Sequence, residues 1–497
     1  MSTQLGIAAR AALAAALTTA PYAATAHGIN GHVHVTGWAI EALAPGPLRD
    51  FFGEAALRDT AQIGAAFPDS GYAVSDPYGE MAHWEPFIEA YVQWIRATYD
   101  GDYAADDARH HIAFMMGAAS HGLQDEIFDT IFLPRLQQED GQDQEAADPG
   151  TDAFLFTDGW LRFKPALWYQ ADDLRAIFEA AHGYQPEADQ IRLGMQRVKT
   201  LVIDNFAAIA PTFDMQYRPL LPWGAAHYMD PDTAGGHASE IPATAAYLEA
   251  LWARLHDGLP TRAAATYTLP GNGRPIPGLV AGRVESWIHV VFGVGTRVGS
   301  LTPETVSLWR LSGGAREAIP VEVRHTRWSS APEDTTRLLA LRPQVDLVPG
   351  ALYAVRIEAG VWLQDGRVTD APIELTLTAA CPDPSAGCAP VEHEGPWDPP
   401  LVQWDAAVPA AQDAAVPPAQ DAAVPAAQDA DSPAPLDAAV PAAQDAAVPE
   451  GDVSINPLAP RDSAGCAARP ASTTGLGALV SGLLVALAGR RLRRRPR

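Results

Sequence analysis

Apolar residues recur at helical spacing up to about residue 262, then give way near residue 270 to short β-rich runs. That switch of period divides the chain, because one layer type cannot bury both patterns. The run from Pro86 to Ile95 opens on proline and continues with apolar residues at helical intervals. Asp106 and Asp107 precede a long run to Phe128 and suit the positive end of a helix. Ala166 to Ala181, Gln190 to Ile209 and Ala245 to His256 repeat the pattern. An all-α domain is therefore expected over residues 27–262.

Beyond it, Val284 to Phe292, Thr305 to Leu311, Pro320 to Trp328, Arg337 to Leu341, Leu352 to Glu358 and Ile373 to Thr378 read as strands. Gly313-Gly314, Pro349-Gly350 and Asp365-Gly366 punctuate them as turns. This predicts an all-β sandwich over residues 270–380. The stretch Leu347 to Val355 resembles a strand pair of the Ig-like modules found in secreted bacterial proteins.

From Asp405 to Pro449 a unit of the form Asp-Ala-Ala-Val-Pro-Ala-Ala-Gln restarts at Asp413, Asp421, Asp429, Asp437 and Asp445. Proline in each unit blocks a continuous helix, spaced aspartates repel, and little is large enough to bury. Residues 381–465 are accordingly expected to be a semi-extended, disordered stalk. No Lys or Arg lies between Trp404 and Arg461, so part of the net charge of -26 belongs to this segment.

Both ends carry export signals. Arg10, the apolar run Ala11 to Leu17 and the triplet Ala24-Thr25-Ala26 read as a signal peptide over residues 1–26, with His27 as the mature first residue. Cys381 and Cys388 close a short loop and are expected to pair outside the cytosol. Residues 466–497 hold Cys466, an apolar stretch from Leu476 to Ala488 and a cluster of arginines. This tail resembles the sorting tails of myxobacterial surface proteins, which implies attachment to the cell envelope. A single-span anchor with its basic end inside is the other reading.

Chemistry concentrates between residues 67 and 129. His121 and Asp125 are four residues apart in a helical segment, so both reach one ion from consecutive turns. Zinc accepts imidazole nitrogen and carboxylate oxygen at about 2 Å in a tetrahedral set. Asp69, in Phe67-Pro68-Asp69, and His83, in His83-Trp84, supply the other two ligands. His110 and His111 are expected to be solvated helix positions, and His182, His227 and His237 to be structural.

Taken in order, His32 to Leu43, Phe67-Pro68-Asp69, His83 to Phe87 and Ala113 to Asp125 resemble segments of the zinc-dependent phospholipase C family. That family includes the amino-terminal domain of glycosylphosphatidylinositol-specific phospholipase D. Glu145-Ala146-Ala147 and Phe178 to Gly183 are similar to its later segments. The resemblance implies a helical domain that holds up to three zinc ions and hydrolyses phosphodiesters. Asp69, His83, His121 and Asp125 match ligands of the first zinc. His32 matches a ligand of the second, with Asp125 bridging and the mature terminus at His27 as a further donor. His34, placed on the same side of an extended strand as His32, is a substitute candidate. At the third site the family's histidines correspond here to Asp129, and to Asp148 with Asp152. Carboxylates there favour a harder cation such as magnesium or calcium, or an empty site.

Two zinc ions are thus expected, with a phospholipid or related phosphodiester as substrate. Asp69 is expected both to bind metal and to orient water or take its proton. A single-strand nuclease and a non-catalytic envelope adhesion protein with a metal-stabilised helical domain remain alternatives. There is no basic stripe before the C-terminus, which argues against duplex nucleic acid as a partner.

Overall fold

Helices fill the chain from Ile29 to Leu255 and antiparallel sheets follow, in a computed structural model that describes residues 28–256, 258–261, 264–271, 274–325 and 334–382. The expected signal peptide, His27, Cys388, the stalk beyond Pro382 and the C-terminal tail lie outside the described residues. Cys381 is disulfide-bonded. Among the described residues, no helix is long and apolar enough to cross a membrane.

The helices begin with α1 (Ile29–Ala42), α2 (Pro47–Phe51), α3 (Ala55–Ala65), α4 (Phe67–Tyr72) and α5 (Tyr78–Ala82). The long α6 (Glu85–Tyr99) and α7 (Asp106–Ile127) follow, then α8 (Leu133–Asp140) and α9 (Gln144–Thr157). Next come α10 (Ala171–His182), α11 (Ala188–Arg197), α12 (Ala210–Tyr217), α13 (Pro222–His227) and α14 (His237–Leu255). Proline opens α4 and α6 within the first turn, where its missing N–H costs nothing.

Two glycines decide how α3 and α7 cross. A Cβ on Gly117 would lie 1.9 Å from the Ala61 carbonyl oxygen, and one on Gly64 would lie 2.4 Å from that of Phe114. Backbone therefore meets backbone at this crossing. Beside it, Phe67, Phe87, Phe114 and Phe178 pack as one aromatic cluster, with the Phe87 and Phe178 rings stacked at 4.4 Å.

The expected strand at His32 and His34 is instead α1. Its alternation of Val33 and Val35 with His32, His34 and Thr36 mimics a strand, but residues 30–40 are all buried, and a helix buried on every side shows no polar stripe. The helix starts where it does because Asp152, from α9, accepts from the N–H groups of Asn30 (3.1 Å) and Gly31 (2.8 Å) and from the Asn30 side chain (3.1 Å). An acid on the orphan donors at the positive end of a helix is stabilising. Asp152→Ala is expected to cost about 1–2 kcal/mol, measured as a lower urea midpoint.

The strands are β1 (Ala265–Leu269), β2 (Ile288–Arg297), β3 (Val306–Ser312), β4 (Ala315–Ile319), β5 (Val321–His325), β6 (Thr335–Pro343), β7 (Leu352–Ile357) and β8 (Ile373–Thr378). They form two antiparallel sheets, ordered β1-β2-β6-β5 and β4-β3-β7-β8. Val290, Leu339 and Leu341 of the first sheet share one core with Leu308, Tyr353 and Val355 of the second. Leu347 to Ala351 is a turn leading into the single strand β7, where a strand pair was expected. Val284 to Ser286, read as the start of a strand, is a 3-10 turn.

In the first sheet, β1, β2 and β6 are buried on both faces. Tyr267, Leu269, Val291 and Leu338 pack with Leu248, Leu251 and Leu255 of α14 in the helical core. The register between β2 and β6 shifts between Val291 and Thr296, opposite Arg337. Such irregularities re-aim side chains. Here Arg337, in the strand that sends Leu339 and Leu341 into the sheet core, points into the helices instead. All described residues lie within one compact unit.

Candidate metal centre

Five side chains from four segments converge. His32 comes from α1, Asp69 from the first turn of α4, His83 from the end of α5, and His121 with Asp125 from α7. Asp125 Oδ1 lies 3.1 Å from His32 Nε2, and its Oδ2 lies 3.3 Å from both His83 Nε2 and His121 Nε2. The last two nitrogens are 2.8 Å apart. Asp69 Oδ1 lies 3.8 Å from His83 Nε2 and 3.9 Å from His121 Nε2. Two overlapping groups could each hold an ion: His32, Asp69 and His121, and His83, His121 and Asp125. All five residues are buried.

The outer nitrogen of each ring explains this convergence. His32 Nδ1 meets Gln124 Oε1 at 2.9 Å, His83 Nδ1 meets the Gly79 carbonyl at 2.6 Å, and His121 Nδ1 meets the Ala65 carbonyl at 2.6 Å. An acceptor at Nδ1 holds the proton there, so Nε2 presents its lone pair inward. Three such nitrogens beside two carboxylates form a donor set that suits a divalent cation of the zinc type.

Close backbone approach makes these contacts possible. The α3–α7 crossing puts the Ala65 carbonyl beside His121. A Cβ on Gly71 would lie 2.2 Å from Gly79 N, so α4 and α5 touch and Asp69 reaches His83. A Cβ on Gly122 would lie 2.1 Å from the His83 carbonyl oxygen. Alanine normally favours a helix interior over glycine by about 1 kcal/mol, but here it must push away the His83 backbone. Gly122→Ala is expected to destabilise by about 1–3 kcal/mol and to weaken metal binding, both read from zinc-dependent thermal melts.

Electrostatics separate Asp125 from the nearby acids Asp129 and Asp148. Burial first, and then the neighbouring His121, hold His83 below the ordinary imidazole range. Burial also opposes charge on His121, but Asp125 and Asp69 outweigh it and raise that ring. Burial opposes charge on Asp125 too, yet His121 and His32 hold it well below the usual carboxylate range. Asp129 and Asp148 go the other way. Burial, then Asp125 and Glu240, push Asp129 well up, while burial, then Asp129, Asp125 and Asp69, do so for Asp148.

Asp129 lies on a π-helical turn, Phe128–Phe132, that continues α7, and neither Asp129 nor Asp148 belongs to the two donor groups. Asp152 is engaged with the start of α1. His34 is no substitute ligand: residues two apart on a helix point about 200° apart. Its Nδ1 meets the Asn30 carbonyl at 2.8 Å, and its Nε2 accepts from the N–H groups of Arg162 (2.9 Å) and Phe163 (3.1 Å). Burial lowers it to about 4. His111, expected in solvent, is buried between Tyr91 Oη (2.9 Å) and Asp173 (3.2 Å). His110 is half-buried, bonded to Thr60 and stacked on Trp168.

Beside the centre, Tyr72 escaped the sequence reading, and Trp84, read there as a core residue, is only half-buried. Tyr72 donates to Glu80 Oε2 at 2.7 Å, and Trp84 Nε1 donates to Glu80 Oε1 at 2.7 Å, with the Tyr72 ring 5.4 Å from that of His83. The four-residue step from Glu80 to Trp84 was the available signal. A cavity of about 250 Å³ lined by Glu89, Arg254, Asp365 and Arg367 contains none of the five clustered residues. Two of its arginines pair with acids, Arg254 with Glu89 and Arg367 with Asp365.

No protein-family profile matches the chain. It is similar to phosphatidylinositol-glycan-specific phospholipase D of Bos taurus, 27% identical over 175 residues, covering 31% of this chain and 21% of that protein. The Homo sapiens protein is 25% identical over 193 residues, covering 35% and 23%. The Dictyostelium discoideum protein is 36% identical over 69 residues, covering 14% and 7%. The chain thus spans less than a quarter of the length of these relatives. Among solved structures, domains 1-6 of the surface layer protein SbsC align with 73% of this chain and 46% of that one, at 12% identity and a TM-score of 0.18, too low to carry an inference. The chain is distantly related to the phosphatidylinositol-glycan-specific phospholipases D.

Proposed function

We propose that this chain is a zinc-dependent phosphodiester hydrolase of the phospholipase C type, acting on phospholipids or related lipids outside the cytoplasm. The observation that carries the proposal is the convergence of the Nε2 atoms of His32, His83 and His121 on Asp69 and Asp125. The distant similarity to a lipid-cleaving phospholipase supports the substrate class.

His32, Asp69, His83, His121 and Asp125 would hold the metal. Zinc, when bound, supplies Lewis acidity toward a phosphoryl oxygen and acidifies water near neutral pH. The chain's own part is to fix the donors, and Asp69 has a second carboxylate oxygen with which to orient the attacking water and accept its proton. Asp129 and Asp148 extend the acidic side of the centre, where a harder cation would be favoured.

The strand order supports an Ig-like reading of the β part. The first, second, sixth and fifth strands correspond to A, B, E and D, and the third, seventh and eighth to C, F and G, with β4 added beside C. The Cys381 disulfide supports an exported location. In this reading the repeat segment is a stalk and the tail an envelope anchor.

The test is product analysis with zinc-loaded protein on phosphatidylinositol vesicles, with single-stranded DNA as a parallel substrate. The proposal expects diacylglycerol. Phosphatidic acid would assign the other phosphoester bond, cleavage of DNA alone would assign a nuclease, and no turnover of either would remove the enzymatic reading.

A further inference from the structure

Arg337 is fully buried, although it belongs to β6. Its Nη2 donates to the His83 carbonyl at 2.8 Å and its Nη1 to the Ala119 carbonyl at 3.2 Å. Its Nε lies 3.2 Å from Glu126 Oε1 and 3.2 Å from Glu85 Oε1, and Nη2 lies 3.1 Å from Glu126 Oε1. The Tyr247 hydroxyl of α14 also bonds to it.

The chain positions of these contacts are informative. His83 is itself a proposed ligand, and Glu85 is two residues beyond it. Ala119 is two residues before His121, and Glu126 directly follows Asp125. Apart from Tyr247, these polar contacts of the guanidinium all fall, among the described residues, in the two segments that carry His83, His121 and Asp125. Its planar fork spans both at once, which an ammonium cannot do. Gly122 leaves room for it, since a Cβ there would lie 2.5 Å from Nη2. The register shift in the sheet turns Arg337 toward the helices.

We infer that Arg337 is a positioning residue for the metal centre, by which the β part of the chain holds His83 in register with the helix carrying His121 and Asp125. The inference rests on the metal reading proposed above. It makes the sheets part of the site, although every ligand expected from the sequence lies within residues 27–262. Buried ion pairs are a weak source of stability and are often replaceable by apolar groups, so a positioning role can be separated from a merely structural one.

The experiment uses the full-length protein and the charge-neutral triple variant Glu85→Gln, Glu126→Gln, Arg337→Met, which leaves no unpaired buried charge. Arg337→Lys, which keeps the charge but loses the fork, is the second variant. Zinc affinity is measured by competition with a chromogenic chelator, ligand geometry by the visible absorption of the cobalt(II)-substituted protein, and folding by circular dichroism. The triple variant is expected to fold but bind zinc about 10–100-fold more weakly, with a shifted cobalt spectrum. Arg337→Lys is expected to lose about tenfold in affinity.

Wild-type affinity and spectrum in both variants would overturn the inference while leaving the metal centre in place. Should the triple variant fail to fold, Arg337→Lys decides alone, unchanged affinity again overturning it. A wild-type protein that binds neither zinc nor cobalt would overturn the metal reading, and the positioning role with it.

Discussion

A His121→Ala protein will lose stoichiometric zinc and hydrolyse phosphodiesters at least about 10²–10³-fold more slowly, the loss expected when a group that stabilises transition-state charge disappears. His121 has the largest expected effect because it belongs to both donor groups. Its Nε2 lies 2.8 Å from that of His83 and 3.3 Å from Asp125, and its ring stacks on His32 at 3.7 Å. Removing the ring also leaves the Ala65 carbonyl without its imidazole partner at 2.6 Å. Elemental analysis after dialysis and a rate assay on the same preparation check both halves. Unchanged zinc content would remove His121 from the ligand set.

Arg337→Met alone will unfold the protein at much lower denaturant, by about 3–5 kcal/mol, because breaking a buried ion pair leaves uncompensated charge. Glu85 and Glu126 are both buried at 3–4% exposure and both face the guanidinium. The charge-neutral triple variant should recover most of that loss, and the difference between the two midpoints in urea measures the unpaired carboxylates. Equal midpoints would mean that the unpaired carboxylates contribute nothing to the loss.

What was readable in the sequence follows the range of the interactions. His121 and Asp125 were visible because a helix fixes their separation within one segment. Asp69 and His83 were visible because Phe67-Pro68-Asp69 and His83-Trp84 resemble segments of a zinc-dependent family, in the order that family has them. The acceptors that orient the rings were not, since Ala65 and Gly79 contribute only backbone oxygen. Arg337 was hidden for a different reason: it is 254 residues from His83, and only tertiary structure brings them together.

Misreadings have equally local causes. The Val/His alternation in α1 imitates strand period, and only the contact with Asp152 shows where a helix begins. β4, along Ala315 to Ile319, is almost wholly exposed, so it has no buried face to produce the alternation that marks a strand. β1, Ala265 to Leu269, was also missed although Thr266, Tyr267 and Thr268 favour strands, because four of its five residues are buried and show no alternation. His111 looked solvated beside His110, but Tyr91, from α6, and Asp173, from α10, enclose it.

The most direct test is the metal content of the purified full-length protein after dialysis against metal-free buffer. The account predicts zinc at roughly two equivalents per chain, reduced in variants of His32, Asp69, His83, His121 or Asp125. A folded protein with no divalent metal above background, and none regained on adding zinc, would contradict it.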